Sequence, residues 1–117
     1  MQSLGLHHVS ICVRDVAEAV AWYGDTLGLT VADRPDELGD GAWLEANGGQ
    51  VHLLPADEPR SRRDHFALRV DDVDAAVAEI EAKGVEILRL DLIAPLVGQQ
   101  AFLNDPSDNL IELNQPV

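Results

Sequence analysis

The chain carries a single cysteine, Cys12, in 117 residues. One thiol excludes an internal disulfide and a soft all-thiolate metal site, and it fits a reducing compartment. Positive charge is scarce as well: eight Lys and Arg stand against 21 Asp and Glu, a formal net charge of −13. Nucleic acid binding needs clustered cations, so that class of partner is not expected. Most of the acid reads as a solvated surface. Three of the basic residues, Arg60, Arg62 and Arg63, share one polar segment that reads as solvated linker. No apolar run approaches the ~20 residues of a membrane span. The opening MQSLGLHHVS also lacks the basic-then-apolar order of a signal peptide. No membrane partner is expected, and the cytoplasm is the expected location. With 46% apolar residues, the chain is long enough to bury one working core.

What the chain does have is an internal repeat. Aligning LHHVSICVRDVAEAVAWYGDTLGLTV with RDHFALRVDDVDAAVAEIEAKGVEI sets His8 over His65, Val13 over Val70, Asp15 over Asp72, Val16 over Val73 and Val20 over Val77. After a one-residue deletion Gly28 sits over Gly84. A period of about 57 residues is too long for a solenoid unit and points to a duplicated module.

Each copy reads as strand, helix, then three strands. In the first, Leu6–Val13 alternates and is rich in β-branched residues. Asp15 caps the following helix, and Glu18 completes a capping-box pattern. Val16, Ala19, Val20, Tyr23 and Leu27 form the helix's apolar stripe, and Gly28 ends it. Strands are predicted near residues 29–34, 42–46 and 50–54, separated by turns at 35–41 and at Asn47-Gly48-Gly49. The second copy has a strand over 65–70 and a helix over about 73–83, whose apolar face is Val73, Ala76, Val77 and Ile80. Strands near 85–90, 99–103 and 110–114 follow. The expected organisation is one domain of two modules, residues 4–55 and 64–117, joined by a linker at 56–63.

Strand side chains alternate between faces. Val9, Ile11 and Val13 are expected to pack on the first helix, leaving His8, Ser10 and Cys12 on the opposite face. By the same rule His65, Ala67 and Arg69 face away from the second helix, as do Gln50, His52 and Leu54, and Leu110, Glu112 and Asn114. His8, His52, His65 and Glu112 thus all fall on the non-helix faces of their sheets, at matched places in the repeat. That arrangement points to a composite metal site, with His7, of opposite parity, left as structural or surface.

The stretches LHHVSICVRDVAEAVAWYGDTLGL, QVHLL, DHFALRVDDVDAAVAEIEAKGVEI and FLNDPSDNLIEL cover nearly the whole chain. Together they resemble the vicinal oxygen chelate superfamily: glyoxalase I, extradiol dioxygenases, fosfomycin-resistance transferases, methylmalonyl-CoA epimerase and the bleomycin-binding proteins. The resemblance implies an α+β fold in which paired βαβββ modules form an open, barrel-like cup around one metal. It implies His8, His65 and Glu112 as ligands, the last supplied by the DPxxNxIEL ending. The fourth-strand position of the first module is Glu or Gln in glyoxalase I and the epimerase. Here it is His52, a fourth ligand, or else a group that supports the ligands or meets substrate. The pattern usually has Gly in its DPxG turn where this chain has Asp108, a residue that tolerates a left-handed conformation. Small members commonly form homodimers in which module one of each chain completes a site with module two of its partner.

Imidazoles with one carboxylate suit a divalent first-row transition metal such as Fe, Mn, Ni, Co or Zn. With His52 bound, two of six octahedral positions stay open; without it, three open in the facial arrangement that Fe(II) oxygen chemistry uses. A small substrate with neighbouring oxygens would chelate such an ion, which would stabilise negative charge developing on oxygen. Glu112 and His52 are the candidate proton-transfer groups. Ser10, Cys12, Trp43, Gln50, Arg69 and Phe102 are candidate substrate contacts, along with Glu45, Leu54, Gln100 and Asn114. Trp43 and Phe102 read equally as an apolar wall or as core. Arg69 reads as a salt bridge before an anion site, and Cys12 has no evident cation to make it a nucleophile. Lyase or isomerase chemistry is expected ahead of dioxygenase chemistry. The alternative is a metal-free protein that sequesters a small cationic or aromatic molecule, as bleomycin-resistance proteins do.

Overall fold

A computed structural model of the chain describes residues 1–58, 63–90 and 97–117. The chain divides into two compact units, Met1–Pro59 and Arg60–Val117. The first contains β1 (His8–Val13), α1 (Val16–Leu27), β2 (Thr30–Ala32), a 3-10 turn at Asp36–Leu38, β3 (Ala42–Glu45) and β4 (Gln50–Pro55). The second contains β5 (His65–Arg69), α2 (Val73–Ala82), β6 (Leu88–Leu90), β7 (Gln99–Asn104) and β8 (Leu110–Gln115). Each unit is one four-stranded sheet with one helix, in the orders β1-β4-β3-β2 and β5-β8-β7-β6. The expected α+β fold of two βαβββ modules is therefore borne out. Arg60 and Arg62, and with them part of the expected linker, lie outside the described residues.

The helices start and stop where the repeat indicates. Asp15 Oδ1 accepts from the Glu18 amide and Asp72 Oδ1 from the Ala75 amide, each at 2.9 Å. Such a cap is worth about 1 kcal/mol. Gly28 (φ 72°) and Gly84 (φ 81°) take the left-handed conformation at the exits. The Leu29 amide then bonds back to the Tyr23 carbonyl, and that of Val85 to the Ile80 carbonyl. Both residues were expected to open strands. Their N–H groups close the helices instead, so β2 begins at Thr30 and β6 only at Leu88.

The N-terminal limit also moves: β1 starts at His8 rather than Leu6, which is 91% exposed. At the other end β8 extends to Gln115, whose side chain accepts from the Val73 amide and adds a second cap to α2.

Alternation sets the core of each unit. Val13, Ala19, Tyr23, Leu44, Val51 and Leu53 are buried in the first; Val73, Val77, Ile80, Ala101, Leu103, Ile111 and Leu113 are buried in the second. Thr26 joins the buried face of α1, which the apolar count alone did not include. No helix of the described residues is long and apolar enough to cross a membrane.

Candidate metal centre

In the first unit β4 lies between β1 and β3, with Ser10 and Trp43 both opposite His52 in the register, and His8 opposite Gln50. The parity that turns Val51 and Leu53 toward α1 turns Gln50 and His52 the other way. His52 is buried on that face, only 8% exposed. Its ring is sandwiched: the His8 ring stacks on it at a centroid distance of 4.0 Å and 11°, and the Trp43 ring at 4.6 Å and 13°. Trp43 is thus neither helix-side core nor a bare wall, but one cover of an imidazole. His52 Nε2 bonds Gln50 Oε1 at 2.8 Å, and Gln50 Nε2 donates to Glu45 Oε1 at 2.8 Å. Burial first, then the nearby His8, His7 and Arg34 charges, push the His52 pKa below 6.5.

His8 is exposed, and its Nδ1 lies 2.8 Å from His7 Nδ1. One of the two must carry the proton. If His8 donates, its Nε2 keeps the lone pair, the usual state of a metal-binding imidazole. His7 was set aside as structural or surface because of its parity. It precedes the first residue of β1, so the strand rule does not govern where its ring points.

In the second unit His65 Nε2 lies 2.9 Å from Glu112 Oε2. The other oxygen of that carboxylate accepts from Gln100 Nε2 at 2.7 Å and Asn114 Nδ2 at 3.0 Å. Asn114 is itself tied to the Val97 carbonyl. His65 Nδ1 donates to the Arg63 carbonyl at 2.8 Å, and the Phe102 ring meets the imidazole edge-on at 5.6 Å. The Arg63 bond holds the His65 pKa above 6.5; burial opposes it, and Glu112 and Asp64 support it. Burial pushes the Glu112 carboxyl up, but hydrogen bonds from Asn114, Gln100 and His65, with the His65 charge, outweigh it. The net pKa lies below 4.5.

The candidates therefore come as two pairs, His8 with His52 and His65 with Glu112. Among the described residues no three His, Cys, Asp or Glu side chains form a group that could hold a metal ion. The second pair fits one in donor chemistry and spacing. Ligands about 2.1 Å from an ion and at right angles lie about 3 Å apart, and His65 and Glu112 stand at 2.9 Å.

Of the expected substrate contacts, Ser10 is exposed on the face of His52, and Cys12 is opposite Leu54. Arg69, expected in a salt bridge, is exposed opposite Asn114 and makes no ion pair with the described residues.

The sequence profile of the Glyoxalase/Bleomycin resistance protein/Dioxygenase superfamily matches residues 5–113. The Escherichia coli (strain K12) protein YaeR is 35% identical, over 92% of this chain and 93% of its own length. A crystal structure of a Bacillus anthracis protein described as of the glyoxalase family superposes with a TM-score of 0.88 at 26% identity, covering 100% of this chain and 98% of that one. An antibiotic-binding protein of a Streptomyces species superposes at 0.79 with 29% identity, covering 100% and 99%. A variant of the fosfomycin-resistance protein FosX of Listeria monocytogenes, complexed with Mn(II), shares the fold: TM-score 0.83, 20% identity, 99% and 95% covered. This chain belongs to the Glyoxalase/Bleomycin resistance protein/Dioxygenase superfamily.

Proposed function

We propose that the chain is a metal-dependent enzyme that holds a divalent first-row ion on His8, His65 and Glu112. Its substrate is a small molecule that chelates the ion through neighbouring oxygens. The observation that carries this reading is the preparation of the His65–Glu112 pair. His65 spends Nδ1 on a backbone carbonyl, which leaves Nε2 as the ligating nitrogen. Two amides hold the far oxygen of Glu112 and keep the carboxylate ionised. His8 has the same option through its bond to His7. The ligands come from both modules, and in this reading a homodimer completes the site by combining module one of one copy with module two of the other.

When bound, such an ion supplies Lewis acidity and stabilises negative charge as it develops on a substrate oxygen. His8, His65 and Glu112 hold it, while Gln100 and Asn114 aim the carboxylate. His52 differs from the other two imidazoles because its Nε2 is taken by Gln50. Its ring also lies stacked parallel on that of His8, so the in-plane lone pairs of the two do not converge on one ion, and His52 fits better as a group that meets substrate than as a fourth ligand. A non-ligand imidazole on the site face can move a proton, which supports lyase or isomerase chemistry as the preferred class; the three open positions left by His8, His65 and Glu112 suit dioxygenase chemistry, the alternative. Glu112 and His52 remain the groups able to move a proton. Full turnover in a metal-loaded Glu112→Gln protein would remove the first, and unchanged activity in His52→Ala the second.

Metal-free sequestration of a cationic or aromatic molecule is the rival. The −13 charge and the stacked His8, His52 and Trp43 rings favour it. So does the similarity to an antibiotic-binding protein. Metal analysis separates the two. The enzyme reading expects about one first-row ion per chain, lost in His65→Ala. No metal as purified, and no uptake at micromolar Mn, Fe, Co, Ni or Zn, would overturn it.

A further inference from the structure

Three imidazoles stand on the site faces, and each has one nitrogen tied to a group that is not itself a candidate ligand. His8 and His65 use Nδ1. His52 uses Nε2. That difference is not a matter of drawing. The amide of Gln50 has two ends, and which end faces His52 is set by its other neighbour. Glu45 offers a carboxylate, which only accepts, so the Gln50 NH₂ must face Glu45 and its carbonyl oxygen must face His52. An amide oxygen only accepts in turn, so His52 Nε2 must carry the hydrogen. A neutral His52 is then the Nε2–H tautomer, with its lone pair on Nδ1. The two flanking rings fix the plane of the imidazole, and Gln50 fixes its rotation within that plane.

We propose that Gln50, held by Glu45, is a positioning residue that keeps His52 in the Nε2–H tautomer and so makes Nδ1 the nitrogen His52 offers to the site. Nδ1 has no hydrogen-bond partner among the described residues, and it is not sealed from solvent. The offered group is therefore an acceptor, suited to a substrate that presents a hydroxyl or N–H donor beside its chelating oxygens. Glu45 and Gln50 were expected on that face as candidate substrate contacts. Their role in this chain of bonds follows from register, because Glu45 lies directly opposite Gln50 across the β3–β4 pair. The functional meaning rests on the proposed enzyme reading, whereas the tautomer does not depend on a bound metal.

The test is a long-range ¹H–¹⁵N correlation spectrum of the full chain in chelator, at a pH where histidines are neutral. The His52 signals are assigned by their loss in His52→Gln. Wild-type protein should give a protonated Nε2 and a bare Nδ1 for His52. Glu45→Ala alters an exposed residue and frees the amide to turn. Gln50→Leu removes the acceptor. In both variants the two nitrogen shifts should move toward each other as the tautomers mix. A wild-type His52 protonated on Nδ1 would overturn the proposal. So would a pattern that either substitution leaves unaltered, with amide dispersion confirming the fold. Failure here would leave the metal-content test of the enzyme reading untouched, and failure there would leave this one intact.

Discussion

Where the first unit sets Trp43 opposite His52, the second sets Phe102 opposite Glu112. Two residues before these aromatics stand Gly41 and Gln100; two residues after the paired ligands stand Leu54 and Asn114. In the second unit Gln100 and Asn114 are the amides that hold Glu112. In the first unit neither place carries an amide. Gly41 has no room for a side chain, because an added Cβ would lie 2.8 Å from the Arg34 guanidinium and 2.9 Å from the Leu53 carbonyl. A carboxylate at position 52 would lack the donors that Glu112 enjoys and would face the Gln50 oxygen. An imidazole with a hydrogen on Nε2 suits that place. The comparison teaches that the choice of ligand-type residue in each module follows from its neighbours on the sheet. One unit is built to hold an anion and the other to hold a neutral ring.

The two helix-facing sides should not differ in this way, and they give the largest expected effect. Leu53 and Leu113 follow His52 and Glu112 directly and are 0% and 2% exposed. Leu53→Ala and Leu113→Ala should each cost about 2–5 kcal/mol in denaturant unfolding, the range for a buried leucine that leaves a cavity. A loss well under 1 kcal/mol in one of them would mean that the duplicated cores are not equivalent.

On the site faces the expected effects diverge. Gln100→Leu removes one of the two amide donors to Glu112 and should weaken divalent-metal binding by about 10- to 100-fold, as loss of a group that orients a ligand does. Leu54→Asn adds an amide at the matching place beside His52, where no carboxylate waits, and should leave metal affinity within about twofold. Titration against a competing chelator measures both. Equal effects from the two substitutions would erase the asymmetry between the units.

Stability against pH, measured on protein kept in chelator, should separate the units by sign. The His65 pKa is raised, so its contribution is full below 6.5 and is lost as pH climbs through the raised value. Glu112 is lowered, so its contribution is present above 4.5 and lost as pH falls through the lowered value. The pair therefore stabilises most between those two ordinary values. His52 is lowered, so its contribution is present above 6.5 and is lost on acidification through its own depressed value. Relative to wild type, His65→Gln should lose most near pH 5.5 and progressively less as pH climbs above 6.5. His52→Gln should gain in relative terms as pH falls. Unfolding midpoints across that range check both, and parallel curves for the two variants would contradict the opposed signs.

The backbone plan was legible because it rests on local rules. A capping Asp, a terminal glycine and period-2 alternation each act within a few residues, and the repeat presented each of them twice. Alternation also carried His8, His52, His65 and Glu112 to the non-helix faces. What it did not carry was partner choice. That Gln50 would meet Glu45, that Gln100 would reach Glu112, and that Trp43 would cover His52 all depend on register between strands, which pattern within a strand leaves open. Leu29 and Val85 were misread for a related reason. Both look like strand openers, and the helix exit claims their amides first.

The smallest expected effect lies in the turns that join the last two strands of each unit. Both reverse through a non-glycine residue at positive φ, Asn47 at 50° and Asp108 at 66°. Asn47 is exposed and precedes Gly48 at 99°, and the Ala46 amide closes the turn on the Gly49 carbonyl at 2.9 Å. Asn tolerates the left-handed region because its short polar side chain can bond locally, whereas an ordinary L-residue pays roughly 1–2 kcal/mol there. Asn47→Gly should thus shift unfolding free energy by only a few tenths of a kcal/mol. Asn47→Val, β-branched and poorly suited to positive φ, should cost about 1 kcal/mol or more. Because β4 begins at Gln50, strain in this turn also bears on the strand that carries His52. If Asn47→Val were as stable as wild type, the turn would not be what sets the β3–β4 register, and the pairing of Trp43 with His52 would need another cause.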